Sequence, residues 1–385
     1  MDKVIKEYCC GCTLCETLGI AELEKNEKGY YSPVNGDEKL LKKICPCYGE
    51  QISDMDTSQI WGKYKEVYYG WSTNSDIRYK ASSGGVLTEI ACYLLEERKV
   101  DYIIQACADE NDPTQTKTVI NSTVDGVVNC CGSRYAISHP LNCLTELDLS
   151  KKYAFIGKPC DVTVLKNYIK VNPEIGKSIV CTLSFFCAGL PSNQAQQKLL
   201  DMLKVEKSGL SCLKYRGEGW PGETTAIDSL GKQYSLDYNT TWSKILGRDI
   251  MSACRYCLDS IGELADISCG DAWYLKDNRP NFSERPGRNV IFARSKLGCE
   301  ILNHLKDKHR VELTDVNIEE IKYSQACHYD RRATMSTKIF ATKLMWKTTP
   351  KYSVNSLKKY KRAVTFKKRL RYGLGTIKRI IQGKI

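Results

Sequence analysis

The sequence predicts an α/β chain, α+β overall, in which a small cysteine-rich unit precedes a larger mixed α/β domain that carries a β insertion. Three observations lead there. Apolar runs alternate with helical segments from about residue 65 to 347. Twenty cysteines are spread over 385 residues, with six of them before residue 48. Short runs punctuated by glycine interrupt the middle of the chain. The length exceeds one typical domain, and contents of 42% hydrophobic and 26% charged residues exclude both a small stapled peptide and global disorder.

Residues 1–60 show little hydrophobic periodicity, and a core that small needs a staple or a metal. Residues 61–347 form the second unit. In Val86–Arg98, residues Val86, Ile90, Tyr93 and Leu94 recur at helical spacing, and Leu297–Leu305 behaves similarly. Tyr102–Ala108, Tyr153–Ile156, Ser178–Cys187 and Asn289–Ala293 read as buried strands. Leu213–Tyr238, broken by Gly217, Gly219, Pro221, Gly222 and Gly231, reads as an antiparallel β insertion. Residues 348–385 form a basic tail. From Lys351 onward it holds twelve Lys or Arg and no Asp or Glu, so the net charge of +12 belongs to it and the rest of the chain is balanced. Val364, Leu370, Leu374, Ile377 and Ile381 intersperse with its cations as in a basic interfacial helix, which points to a peripheral membrane or acidic-partner contact; a solvated tail is the plain alternative. Gly373 and Gly375 weaken such a helix.

The longest apolar stretch, Ser178–Pro191, is too short for a bilayer crossing. Charges occupy Met1–Glu7, where an apolar signal core would lie. The expected location is therefore the cytoplasm, with peripheral membrane contact through the tail, and nucleic acid is not the expected partner.

A reducing compartment cannot keep ten disulfides, so some cysteines should hold metal. Cys9-x2-Cys12-x2-Cys15, with a remote Cys45 followed by Pro46, has the spacing with which ferredoxins wrap a 4Fe–4S cluster. Tetrahedral zinc also suits C-x2-C pairs, although three ligands in seven residues crowd it, and reduced buried thiols are the remaining reading. Cys10 and Cys47 stand beside these positions and could substitute for them. A second group, Cys160, Cys187 and the pair Cys254-x2-Cys257, is weak by spacing alone. Its first two members, however, follow predicted strands, at the edge where open α/β sheets gather ligands; core packing is the alternative. Lys80-Ala81-Ser82-Ser83-Gly84-Gly85 opens a helix and suits a phosphate, or is only a cap and turn. His139, His304, His309 and His328 show no metal or triad spacing and are expected at the surface or as caps.

In their order along the chain, Ser82-Ser83-Gly84-Gly85, Gly132-Ser133-Arg134-Tyr135, Gly157-Lys158-Pro159-Cys160, Phe186-Cys187-Ala188-Gly189, Tyr215-Arg216-Gly217 with Trp220, Cys254-x2-Cys257, and Glu263 to Ser268 with Gly270-Asp271 resemble the coenzyme F420 hydrogenase/dehydrogenase β-subunit family. The resemblance spans about residues 5–300. It implies a 4Fe–4S cluster on Cys160, Cys187, Cys254 and Cys257, and a flavin, FAD in preference to FMN, bound by Ser82, Ser83, Gly84 and Gly85 with Gly132, Ser133 and Tyr135. It also implies an N-terminal ferredoxin-like module. Here that module has one cluster, on Cys9, Cys12, Cys15 and Cys45, because Glu16–Ile20 stands where a further cysteine would come. Lys158, Asp161 and Ala188 depart from the commoner Thr, Gln and His. Lys158 and Tyr135, beside the motifs, are the candidate proton donors. The expected function is that of an iron–sulfur flavoprotein oxidoreductase linking a one-electron carrier, such as ferredoxin or a partner redox subunit, through two 4Fe–4S clusters and the flavin to a small two-electron substrate. The alternatives are a non-catalytic electron-transfer subunit and a zinc-stabilised binding protein.

Overall fold

In the computed structural model, which describes residues 1–48, 60–352, 357 and 360–385, the strands in chain order are β1 (Ala21–Lys25), β2 (Tyr31–Gly36), β3 (Glu66–Ser72), β4 (Tyr102–Ala108), β5 (Thr116–Asn121), β6 (Tyr153–Gly157), β7 (Ile179–Phe185), β8 (Leu210–Lys214), β9 (Thr224–Asp228), β10 (Gln233–Leu236), β11 (Ile267–Asp271), β12 (Leu275–Lys276), β13 (Arg279–Pro280), β14 (Asn289–Ala293) and β15 (Val311–Asp315). The fold is mixed α/β with several sheets. An eight-stranded sheet runs β15-β3-β14-β11-β7-β6-β4-β5. Its centre is parallel: β4 pairs with β6, β6 with β7, and β7 with β11. Strand β14 lies antiparallel to both β11 and β3, so β3 points the same way as the parallel core. The loops after β3, β6, β7 and β11 consequently leave the same sheet edge.

The helix Val86–Glu96 forms because an apolar stripe recurs at helical spacing, and the sheet buries that stripe: Val86 and Ile90 pack with Ile103, Leu183, Ile267 and Ile291. The helix Lys296–Asp307, capped by Ser295, adds Ile301, Leu302 and Leu305 to the same core. The expected strands at 102–108 and 289–293 appear with those bounds, and the expected insertion is the three-stranded antiparallel sheet β10-β9-β8.

At the N-terminus, Asp2 and Asp37 cap the helices Lys3–Tyr8 and Glu38–Ile44, which flank the β1–β2 hairpin. This region is tied to the large sheet's surroundings at several points. The Tyr30 hydroxyl donates to Leu190 O (3.1 Å), the Asn167 amide to Ile44 O (3.2 Å), and His139 Nδ1 to Gly11 O (2.8 Å). The expected junction near residue 60 borders residues 49–59, which lie outside the described residues, as do 353–356, 358 and 359 of the tail. Further along the tail, the helix Phe366–Ile381 lies on the helix Met335–Leu344. Thr376 and Ile380 are buried, and a Cβ on Gly373 would stand 3.3 Å from Thr337. Among the described residues no helix is long and apolar enough to cross a membrane.

Candidate functional site

The loop after β6 turns directly into the helix Pro159–Val171, with Pro159 at its first position and Asp161 accepting from Lys158 N (3.1 Å). That geometry places Cys160 at the sheet edge. The loop after β7 places Cys187 there as well, its N–H donating to Ser260 O (2.9 Å). The short helix Ser252–Arg255 brings in Cys254, whose Sγ accepts from Leu190 N (3.3 Å), and Cys257 follows. All four thiols line one cavity, together with Cys10 and Cys47 from the N-terminal region, Lys158, Asp259 and Arg331.

Mutual electrostatics show how the thiols are grouped. Burial pushes Cys9 up to about 12, with Cys15, Cys47 and Cys160 adding to it. Cys45 is raised by burial and then by Cys47, Cys9 and Cys15. Cys187 rises to about 12 through burial with Cys254 and Cys160, and Cys257 is raised well above the usual thiol range by burial and then by Cys160, with Cys254 adding to it. Cys9 and Cys45 thus neighbour Cys15 and Cys47, Cys187 and Cys257 neighbour Cys160 and Cys254, and Cys9 also feels Cys160. Cys12 lies beside Cys10 and Cys9. Its thiol is hydrogen-bonded to Cys10 and feels Asp161, while Cys10 is also hydrogen-bonded to Cys160. Among the described residues no three His, Cys, Asp or Glu side chains are arranged around a single ion. The thiolates of a cubane surround a cluster and stand further apart than ligands of one ion. An all-sulfur donor set facing a common cavity fits a 4Fe–4S group in its chemistry.

Lys158, expected as a proton donor, is buried. Its Nζ donates to Ser138 O (2.8 Å), Ser138 Oγ (3.0 Å) and Asp161 Oδ2 (2.8 Å), which occupies all three of its N–H groups. Burial alone would lower its pKa; Asp161 and the Cys160 thiol outweigh that and hold it above the ordinary range. The expected surface role of the histidines fails for His328, which is buried because the helix Ala326–Ala333 packs over the site and Ser260 Oγ supplies a partner at 3.0 Å.

Around the turn Ser82–Gly85, three of the singled-out segments meet. A Cβ on Gly132 would lie 2.9 Å from Arg216 O, and one on Gly217 would lie 2.5 Å from Lys80 O. Ser83 Oγ donates to Arg288 O (2.9 Å), and Val86 N to Asn289 Oδ1 (3.3 Å). Ser82 Oγ is buried without a hydrogen-bond partner. That orphaned hydroxyl at the start of a helix fits a polar guest such as a flavin phosphate. Gly84 and Gly85 are explained by packing. A Cβ on Gly84 would sit 2.7 Å from Gly70 O, and Gly85 has φ +79°. Tyr135 packs edge-on against Tyr215 (5.5 Å) and beside Trp242 (4.7 Å); burial keeps its phenol above the usual range although the Arg216 guanidinium opposes this. Arg216 in turn forms a bidentate pair with Asp271 (2.9 and 3.0 Å), which also accepts from Trp220 Nε1 (2.9 Å).

Comparison with known proteins decides the family. The model of the N-terminal part of the coenzyme F420 hydrogenase/dehydrogenase beta subunit matches residues 67–145, and that of its C terminus matches residues 150–319, together more than half of the chain. The chain belongs to the coenzyme F420 hydrogenase/dehydrogenase beta subunit family. It is similar to the coenzyme F420 hydrogenase subunit beta of Methanococcus voltae, 24% identical over 274 residues that cover 68% of this chain and 88% of that protein. It is also similar to the coenzyme F420-dependent sulfite reductase of Methanocaldococcus jannaschii, 25% identical over 344 residues, 84% of this chain and 48% of that protein. Among solved structures, a chain of the F420-reducing NiFe hydrogenase complex from Methanosarcina barkeri shares the fold, with a TM-score of 0.55 at 22% identity over 72% of this chain and 94% of that one. A redox role follows at this coarse level from membership of the family.

Within this family member, sequence reasoning missed the residues that reach the cavity from beyond the matched region. Arg331 lines it, and Arg332 pairs with Glu263 (2.9 Å), a residue of the Glu263–Ser268 motif. A lone Arg pair in a short helix carries no motif, so nothing in the sequence could have marked it.

Proposed function

We propose that the chain is an iron–sulfur flavoprotein oxidoreductase subunit that exchanges electrons between a one-electron carrier and a two-electron substrate. Cys160, Cys187, Cys254 and Cys257 would hold one 4Fe–4S cluster; Cys9, Cys15 and Cys45 would hold the other, with Cys12 or Cys47 completing the set. Ser82–Gly85, Gly132, Ser133 and Tyr135 would hold the flavin. Bound there, clusters supply one-electron steps and a flavin converts between one and two electrons. The observation that carries this reading is the cysteine-lined cavity at the sheet edge, which Cys10 and Cys47 of the N-terminal region also line.

The chain's own residues do the positioning. His139 fixes the N-terminal loop through Gly11 O, and Lys158 ties Ser138 and Asp161 together beside Cys160. With its three N–H groups engaged, Lys158 serves as a strut. Proton supply then falls to Tyr135 or to the substrate's own partner protein, and this favours the second reading, a relay subunit of a larger redox complex. We also propose that the exposed apolar and basic row of the C-terminal helix is a contact face for an anionic membrane surface.

Anaerobic reconstitution of the full chain, followed by iron, sulfide and flavin analysis, tests the main reading. About eight irons per chain are expected from two cubanes. Cys257→Ala should lose about half of them, while Cys212→Ala and Cys299→Ala keep all. Four irons in the wild type, or unchanged iron in Cys257→Ala, would overturn the second cluster, and zinc in place of iron would overturn both.

A further inference from the structure

We propose that Arg331 is the built-in counter-charge of the Cys160/Cys187/Cys254/Cys257 cluster, a positioning residue that raises the cluster's reduction potential. The inference rests on the reading above that those four thiolates hold a 4Fe–4S group.

Burying a guanidinium is costly unless an anion accompanies it. Two other buried guanidiniums have a carboxylate, Arg216 with Asp271 at 2.9 Å and Arg332 with Glu263 at 2.9 Å, whereas buried Arg294 is held by Ser268 Oγ and three backbone carbonyls. Arg331 is only 7% exposed, yet among the described residues no carboxylate forms an ion pair with it. Its guanidinium donates instead to two backbone carbonyls, Cys187 O (3.2 Å) and Ala188 O. The thiols of Cys327, Cys257, Cys254 and Cys187 face it, together with His328 and Lys338, and Asp259 lines the same cavity. Three of these thiols belong to the proposed ligand set, and the guanidinium lines the same cavity.

The neighbourhood carries further positive charge. Lys338 is pushed down to about 7 by burial and by Arg331, with Arg379 and Arg255 acting in the same direction. Arg331 thus stands at a sulfur-lined cavity without a carboxylate paired to it among the described residues. An anionic group in that cavity removes the discrepancy. Four thiolates around an iron–sulfur core give such a group, and its reduced form is one charge more negative. A fixed cation therefore stabilises the reduced form more than the oxidised one, and the potential rises. Arg331 lies beyond residue 319, where the match to the family model ends.

The test is an EPR-monitored redox titration of the reconstituted full chain, with the relevant signal identified as the one that Cys257→Ala removes. Arg331→Lys keeps the charge; Arg331→Gln keeps a hydrogen-bond donor for the loop carbonyls and removes the charge. Potential should follow charge: the Lys variant stays near wild type, and the Gln variant shifts to lower potential at unchanged iron and sulfide. Should the Gln variant fail to hold its cluster, Cys327→Asp decides, because Cys327 is exposed, neighbours Arg331 and would supply the missing carboxylate. It too should shift to lower potential. An unshifted potential in a fully loaded Gln or Asp variant overturns the role of Arg331 and leaves the cluster standing. Absence of any signal that Cys257→Ala removes overturns the cluster reading itself, and this inference with it.

Discussion

Ser82 is the residue at which flavin binding and folding can be separated. Glycine substitutions in the same turn confound the two, since a side chain on Gly84 would strike Gly70 O and Asn289, and Gly85 occupies left-handed backbone. The Ser82 hydroxyl, in contrast, is buried and makes no hydrogen bond. Deleting an unsatisfied buried hydroxyl removes a desolvation penalty of ~1–3 kcal/mol. Ser82→Ala should therefore melt at or slightly above the temperature of the flavin-free wild type, yet bind added flavin several-fold more weakly, as read by fluorescence quenching. Equal flavin affinity in a folded Ser82→Ala protein would remove the turn from the binding site. The cysteines show the limits of spacing as a guide. The ferredoxin-like spacing singles out Cys9, Cys12, Cys15 and Cys45 as an expected group. Spacing does not say which way the thiols of Cys10 and Cys12 turn, because Gly11 and Thr13 in that loop take left-handed backbone.

Among the elements, those written in periodic hydrophobicity were legible. Strands β4 and β14 and the helix Val86–Glu96 follow from apolar runs buried on both faces or along one stripe. Strand β3 was not legible. Glu66–Ser72 is Tyr-rich and mostly half-buried, and strand β11 is a five-residue Ile-Ser-Cys-Gly-Asp segment whose strand character comes from pairing with β7 and β14. The helix Ala326–Ala333 is another such element, and it has a pH consequence. His328, buried in it, is lowered to about 3 by burial and then by Arg331, while His139 is lowered to about 4 by burial and then by Lys158. Both are neutral in the folded chain and titrate near 6.5 when it unfolds, so unfolding takes up protons below that pH. Their contribution is in place above pH 6.5 and is lost as pH falls from there toward 4 and 3. The melting temperature of the flavin- and iron-free chain should fall between pH 7 and 5, and His328→Gln should flatten that fall. An identical pH profile in the variant would show that His328 does not titrate on unfolding.

On the scale of the whole molecule, the tail's charge was legible in composition but its packing was not. The helix Phe366–Ile381 leans on the helix Met335–Leu344 through Gly373, so the glycine that weakens it as an isolated helix is what allows the approach to Thr337. This packing leaves Phe366, Leu370, Leu374 and Ile381 exposed in one row, with Lys367, Arg371 and Lys378 alongside. On the neighbouring helix, Phe340 and Leu344 lie three and seven residues after Thr337, hence on the side of the seam, and Trp346 beyond them is 95% exposed. Apolar side chains flanked by cations, with an aromatic at the margin, match the interface of an anionic bilayer, where burial of the row and attraction to headgroups add. Truncation at residue 350 would be a poor probe, since it also uncovers the face on which Thr376 and Ile380 are buried. The cleaner change is Leu370→Glu with Leu374→Glu, two exposed positions whose loss leaves the helix seam intact. Wild-type protein should sediment with vesicles containing phosphatidylglycerol, less so at high salt, and not with purely phosphatidylcholine vesicles. The double variant should stay in the supernatant. Equal recovery of both proteins in the anionic pellet would show that charge alone holds them there and that the apolar row has no part in it.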